Sequence, residues 1–366
     1  MSVSKVIMII MAVFFVLGAL DRLIGNRFGL GGEFERAFGL MGPTALSCVG
    51  LMAIAPVLAS LMGEGVRALF SLVGADAAMF PGILMSCDVG YPLSAALAED
   101  QNLALFGGLV VGSVMGNAVS FAIPVACGLI RKEDYRPFAI GILAGYIFDP
   151  LACFIGGIAM GLPALTTLRN LIPVIVVAAV VVCGLLFAPN GTIRAFRVFA
   201  KLLLAVISLG LACAAVEAMT GFVIIPGMRP ISEGFKTVGT IVLSLAGSLP
   251  LLYLLRKILA GPLKKLGEST GINDVGVLST VIALTSLVPG YSAYKDMNVK
   301  GKVFFAAFSA SAGCMLGCHL GFTSSIDQSV VLPMLLAKCC AGVFAMISAA
   351  FFAKRIFSAE ELAEVN

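Results

Sequence analysis

Eleven apolar segments of 15 to 28 residues, separated by short polar connections, occupy almost the whole chain. They lie near 6–20, 41–62, 77–98, 103–130, 138–160, 171–188, 198–218, 238–255, 271–293, 303–323 and 330–353. About 20 apolar residues suffice for a helix to cross a bilayer. The composition points the same way: 60% of residues are hydrophobic, 41 more are glycine, and only 12% are charged. A soluble fold needs polar cover that this chain does not have. A soluble enzyme, a disordered chain and a nucleic-acid binder are therefore excluded. The spans are expected to be helical, because backbone polar groups in lipid must pair within their own segment. Lys5 precedes the first segment and Asp21-Arg22 follows it without a small-residue cleavage site, so it reads as a span rather than a signal peptide. The ten cysteines all fall in apolar stretches, where cysteine acts as a small hydrophobe; no disulfide framework is expected.

Two segments differ from the rest. Residues 77–98 and 271–293 carry interior Pro and Gly, a cluster of polar groups, and a Gly-Tyr step at Gly90-Tyr91 and Gly290-Tyr291. Proline removes a helical donor and glycine weakens a helix, so both read as broken or re-entrant elements. The charges support re-entrance. If all eleven segments cross, Lys and Arg outside the spans divide 12 to 11; if these two return to the face they left, the division is 18 to 5. The positive-inside rule selects the second arrangement, with the N-terminus outside and the C-terminus cytoplasmic.

The expected fold class is an all-α polytopic membrane protein with about nine spanning helices and two re-entrant elements. Ala45-Leu-Ser-Cys-Val-Gly50 aligns with Val242-Leu-Ser-Leu-Ala-Gly247, and Gly74 with Gly271, at one offset. This suggests an inverted-topology repeat, as in secondary transporters. Its halves would be 33–160 and 232–353, linked by spans within 171–218, in a single transport domain.

Ionisable residues inside the spans are Asp88, Asp149, His319 and Lys338, and such residues are functional candidates because hydrocarbon makes them costly. Asp88 sits in a break beside Gly90, Tyr91 and Pro92, where a carboxylate suits a cationic substrate and Tyr91 could add a π face. Asp149, before Pro150, could serve a kink or the path. Lys338 reads as a structural partner for an aspartate. Cys314, Cys318 and His319 lack the further ligands of a metal site, and Gly313, Gly317 and Gly321 at four-residue spacing suggest close helix packing instead. Asn117, Ser286, Pro289 and Tyr291 complete the expected lining. No phosphate loop or His-Glu-x-x-His occurs, and the chain has one histidine, so an enzyme, cofactor or metal is not expected. Glycine-rich helix faces permit copies to associate closely.

The run Gly32-Glu-Phe-Glu-Arg-Ala-Phe38, with Met52-Ala-Ile-Ala-Pro-Val-Leu-Ala59, Cys87-Asp88-Val89-Gly90, Ile142-Leu-Ala-Gly145, Ile225-Pro-Gly227, Gly301-Lys-Val303 and His319-Leu-Gly-Phe322, resembles the ethanolamine permeases of bacterial ethanolamine-utilisation operons. The resemblance spans nearly the whole chain. It implies a multi-pass plasma-membrane protein admitting ethanolamine, a cation at neutral pH, with Asp88 as counter-charge. Three positions depart from the family pattern: Cys318 stands in place of an Asp, Ser286-Leu287 in place of paired Asn, and Asp149 in place of a neutral residue. These departures leave a different small amine, or a neutral polar solute, as the alternative cargo. A membrane-embedded enzyme or sensor acting on the amine is the remaining alternative.

Overall fold

The computed structural model describes residues 3–364, and among them every regular element is a helix. α1 (Val3–Leu23) and the amphipathic α2 (Leu30–Gly39) lead into α3 (Met41–Ser71), and α4 (Met79–Leu84) and α5 (Cys87–Leu97) form the first broken element. α6 (Gln101–Leu105) continues through π-helical turns at Phe106–Gly116 and Ala118–Ala122 into α7 (Ile123–Leu129). α8 (Tyr135–Tyr146) and α9 (Asp149–Ala159) follow, then the long α10 (Ala164–Phe187) and α11 (Pro189–Thr220). α12 (Ile231–Thr270) precedes the second broken element, α13 (Asp274–Ile282) and α14 (Val288–Ser292). The chain ends with α15 (Val299–Ser311), α16 (Cys318–Ile326), α17 (Val331–Ile356) and the short α18 (Ala359–Ala363). Apolar side chains such as Val13 and Val16 of α1, Val180 of α10 and Leu209 of α11 stay exposed, the pattern of helices that face lipid rather than water.

Both elements read as broken are broken. Met85 and Ser86 adopt extended backbone between α4 and α5, and residues 283–287 separate α13 from α14. The two ends of each element also lie together. Asp76 accepts hydrogen bonds from the Ala78 amide through Oδ1 (2.7 Å) and from the Glu99 amide through Oδ2 (3.1 Å). In the second element, Asn273 Nδ2 donates to the Asp296 carbonyl (2.8 Å) and Asn298 Nδ2 to the Gly271 carbonyl (2.9 Å). One short polar side chain thus fastens the first hairpin, and an asparagine pair the second.

Each break is seated on the interrupted helix that follows it. A Cβ on Gly116 would lie 1.9 Å from the Met85 carbonyl oxygen, and one on Gly317 would lie 2.3 Å from that of Thr285. Only glycine permits those approaches. The backbone groups freed by the breaks are paired: the Ser86 amide donates to Ser120 Oγ (2.8 Å), and the Cys314 and Leu316 amides donate to the Ala283 and Leu284 carbonyls (2.7 Å each).

Among the described residues, seven helical stretches are long and apolar enough to cross a membrane, and residues 101–129 make an eighth if their 46° bend lies within one span. The ninth expected span, 303–323, is not continuous. α15 stops at Ser311, α16 begins at Cys318, and Cys314 between them takes a left-handed φ of 59°. The expected helical stripe of Gly313, Gly317 and Gly321 therefore does not form; Gly313 and Gly317 serve the break itself. The expected span 138–160 corresponds to one membrane-length stretch, 132–159, which turns at Ile147-Phe148 between α8 and α9, just before Asp149-Pro150.

Lys302, which the charge count places in a polar connection, is fully buried and pairs with buried Asp134 at 2.6 Å. The pair ties the 131–135 connection to the first turn of α15. Removing one partner of such a pair strands the other charge.

Two measurements check these points. Cysteines placed at exposed positions 71 and 99 should react with an impermeant thiol reagent from one face of the membrane, and those at 268 and 295 from one face also. Labelling of 71 and 99 from opposite faces would contradict the hairpin. Lys302→Met should destabilise the protein by about 3–5 kcal/mol, and the further change Asp134→Leu should restore most of the loss in thermal melts.

Candidate functional site

The breaks converge on one buried polar cluster. Ser86 precedes the first residue of α5, and Asp88 lies in that helix's first turn. The Asp88 carboxylate faces the Ser86 hydroxyl and the amides of Asp88 and Val89 without completing an aligned hydrogen bond, at a helix N-terminus that favours a negative group. Its Oδ1 is buried and has no hydrogen-bond partner. Asp88 stands at the junction of two cavities. One, of about 160 Å³, lies toward α11 and is bordered by Ser86, Ser120, Leu203, Ile207 and His319. The other, of about 220 Å³, lies toward α2 and α12 and is bordered by Arg36, Thr44, Leu245, Thr285 and Ser286. Ser47, Asp88, Phe121 and Cys318 border both.

Behind Asp88 runs a line of hydrogen bonds. Lys338 of α17 is wholly buried; its ammonium contacts the Ser113 carbonyl at 2.5 Å and His319 Nδ1 at 3.0 Å. An ammonium only donates, so Nδ1 accepts and the ring proton resides on Nε2. That N–H donates to Ser86 Oγ at 2.9 Å, which leaves the Ser86 hydroxyl proton free to turn to the Asp88 carboxylate beside it. The bonds from Lys338 to His319 and from His319 to Ser86 both point toward the side of the site that holds Asp88. Among the described residues no carboxylate lies within 4 Å of Lys338. The ion pair expected for it is replaced by a carbonyl and an imidazole.

The other expected residues divide into three groups. Asp88, His319 and Ser286 border the cavities. Asp149 lies behind them in the first turn of α9, fully buried, facing the Ser311 hydroxyl without completing an aligned hydrogen bond. It does not cap its helix. The remaining residues hold the scaffold. Asn117 Nδ2 donates to the Ser309 and Ala310 carbonyls (3.0 and 3.2 Å), which the end of α15 leaves free. Tyr291 is buried, with its hydroxyl 2.5 Å from Ser309 Oγ and its ring edge-on to Phe305. Tyr91 packs edge-on against Phe322, and the Gly90 amide donates to the Ser86 carbonyl (2.6 Å), closing the first turn of α5. Pro289 sits in the first turn of α14. None of these five borders either cavity around Asp88.

Sequence reasoning missed Ser47, Ser86, Ser120 and Thr285. Ser47 lies within the Ala45–Gly50 repeat motif, and Ser86 directly precedes Cys87-Asp88; both signals were present. Hydroxyl side chains on apolar helices are common enough to hide the other two.

Cys87, Asp88 and His319 offer ligand atoms within 4.8 Å of one another. A metal on Nε2 would break the bond to Ser86 and force the ring proton onto Nδ1, against the lysine ammonium. The donor set therefore does not fit a resident metal. Gly267-Glu-Ser-Thr-Gly271 has the spacing of a nucleophile elbow, but it closes the end of α12, whereas an elbow requires a strand-to-helix turn.

Comparison with known proteins assigns the chain to a family. Residues 3–352 match the model of the family described as "Ethanolamine utilisation protein, EutH". A Listeria monocytogenes protein named "Probable ethanolamine permease EutH" is 40% identical, covering 100% of this chain and 98% of its own. The Salmonella typhimurium protein of that name is 36% identical over 94% of each chain. Bacillus subtilis "Uncharacterized protein YxeR" is 37% identical over 96% of this chain and 95% of its own. No solved structure matches. Matched over nearly its whole length, this chain belongs to the EutH family of ethanolamine utilisation proteins.

Proposed function

We propose that the chain is a permease of the bacterial plasma membrane that admits ethanolamine as its ammonium ion, with Asp88 as the counter-charge. The observation that carries this reading is Asp88 at a helix break, bordering two cavities with its buried Oδ1 left without a hydrogen-bond partner. A carboxylate held in low dielectric attracts an ammonium group far more strongly than one in water. The smaller cavity is about 160 Å³, against about 30 Å³ for a water molecule in the liquid, which suits a solute of four heavy atoms. Ser47, Ser120 and Ser286 supply hydroxyls for the alcohol end.

The two halves of the site form an inverted repeat in this reading. Its support is the parallel order of parts: a long helix, a hairpin fastened at its ends, and an interrupted helix whose glycine receives the hairpin's carbonyl. Such repeats place the substrate between the broken elements near the midplane. The cytoplasmic face would carry the excess of Lys and Arg, and the C-terminus with it. An inside-negative potential then draws the cation inward by about 2.3 kcal/mol per 100 mV.

Asp88→Asn should weaken ethanolamine binding by about 1.5–3 kcal/mol, roughly ten- to a hundredfold, measured by titration of the purified protein. The same variant should lose uptake of labelled ethanolamine at low concentration and acidic pH, where little free base diffuses. Wild-type uptake by a well-expressed variant would remove Asp88 from this role. Ethylamine, which lacks the hydroxyl, should bind more weakly than ethanolamine by about 1 kcal/mol; equal affinity would mean that the hydroxyls do not read the alcohol.

A further inference from the structure

Lys338 borders neither cavity, yet hydrogen bonds join it through His319 to Ser86, whose hydroxyl faces the Asp88 carboxylate. A buried cation is costly in a membrane interior. A purely structural lysine would be expected on a carboxylate, and this one is seated on the side chain best suited to pass a proton. The two hydrogen bonds also share one polarity, each donor aimed toward the side of the site that holds Asp88. The titratable groups within electrostatic reach of it are Cys87 and Asp88 from α5, Cys314 and Cys318 at the α15–α16 break, Asp149 and Cys153 from α9, His319, and its neighbour Cys339. Tyr146 of α8 is nearby, but its hydroxyl is committed to the Met115 carbonyl at 3.1 Å. None of these interrupts the line.

We propose that Lys338 is the internal proton reservoir of the empty transporter, an inference that rests on Asp88 being the substrate's counter-charge. While a substrate ammonium neutralises Asp88, the lysine keeps its proton. When the substrate departs, three protons shift together. A Lys338 N–H bond breaks as a proton joins His319 Nδ1; the Nε2–H bond breaks as its proton joins Ser86 Oγ; the original Ser86 O–H bond breaks as its proton joins the Asp88 carboxylate. The products are a neutral amine, the other imidazole tautomer, an unchanged serine and a carboxylic acid. No proton enters or leaves the protein, and a separated pair of charges becomes two neutral groups. The empty site can then reorient without carrying a bare carboxylate through a low-dielectric interior. An arriving ammonium drives the shift backward. Transport therefore moves one substrate charge per cycle and takes no proton from either solution. Lys338 is a positioning and proton-holding residue in this scheme and does not touch the substrate.

The test uses the full chain in proteoliposomes with labelled ethanolamine, in two modes: net uptake driven by an inside-negative potential, and exchange between equal concentrations at zero potential. Exchange never requires the empty site to reorient. Lys338→Arg keeps the positive charge and the donors, but a guanidinium does not release its proton. This variant should retain exchange and lose net uptake. If arginine restores both modes to wild-type rates, the lysine is only structural and the proposal fails. The wild type supplies the second measurement, for a variant that folds poorly and loses both modes. Replacing H₂O by D₂O should slow net uptake more than exchange at saturating ethanolamine, where rebinding outruns the shift; equal effects on the two modes would overturn the relay. Wild-type protein that performs neither mode would instead overturn the reading of the chain as an ethanolamine permease.

Discussion

A backbone amide or carbonyl released inside a bilayer has no water to turn to, and the whole arrangement of this protein follows from how it meets that constraint. Helices are interrupted at residues 85–86, 147–148, 283–287 and 312–317, and the interruptions are placed to satisfy one another. The second hairpin's break lends its carbonyls to the amides of the α15–α16 break. The first hairpin's break gives its Ser86 amide to Ser120. Asn117 covers the carbonyls at the end of α15. The pairing is possible only because Gly116 and Gly317 allow backbone to lie on backbone. Polar groups gathered for that purpose are then available to a solute.

The chemistry of the site grows from the same geometry. A helix that starts in mid-membrane offers its N-terminus to an anion, and Asp88 occupies that position on α5. Beside it stands a hydrogen-bonded series from Ser86 through His319 to Lys338 rather than an adjacent cation. One carboxylate oxygen, Oδ1, remains without a hydrogen-bond partner. Direct pairing with a lysine or arginine would have filled that oxygen and closed the site to an incoming ammonium. The distance between Asp88 and its nearest buried cation is therefore part of the design of the site.

Much of this was legible in the sequence, for physical reasons. Hydropathy located the spans because lipid permits no other composition. Pro81, Pro92 and Pro289 with nearby glycines marked the broken elements, since both residue types weaken a helix, although Pro56 and Pro250 lie within the unbroken α3 and α12. Asp88 and His319 stood out because ionisable groups are rare in such surroundings. Three things were hidden. The interruption at 312–317 carries no proline, only glycines that read equally well as a helix-packing stripe. Lys302 looked like a loop charge because its partner, Asp134, lies 168 residues earlier in the chain. The role of Asn117 depends on carbonyls that are free only because α15 ends at Ser311. Each hidden feature arises from contact between segments distant in sequence, which no local pattern records.

The most direct test of the account is an experimental structure of the protein with ethanolamine bound. The account places the ammonium nitrogen within about 3 Å of the Asp88 carboxylate, between the two cavities, with Lys338 still on His319. Ethanolamine seated away from Asp88, or an Asp88 side chain turned toward acyl chains with the cavities empty of solute, would contradict it.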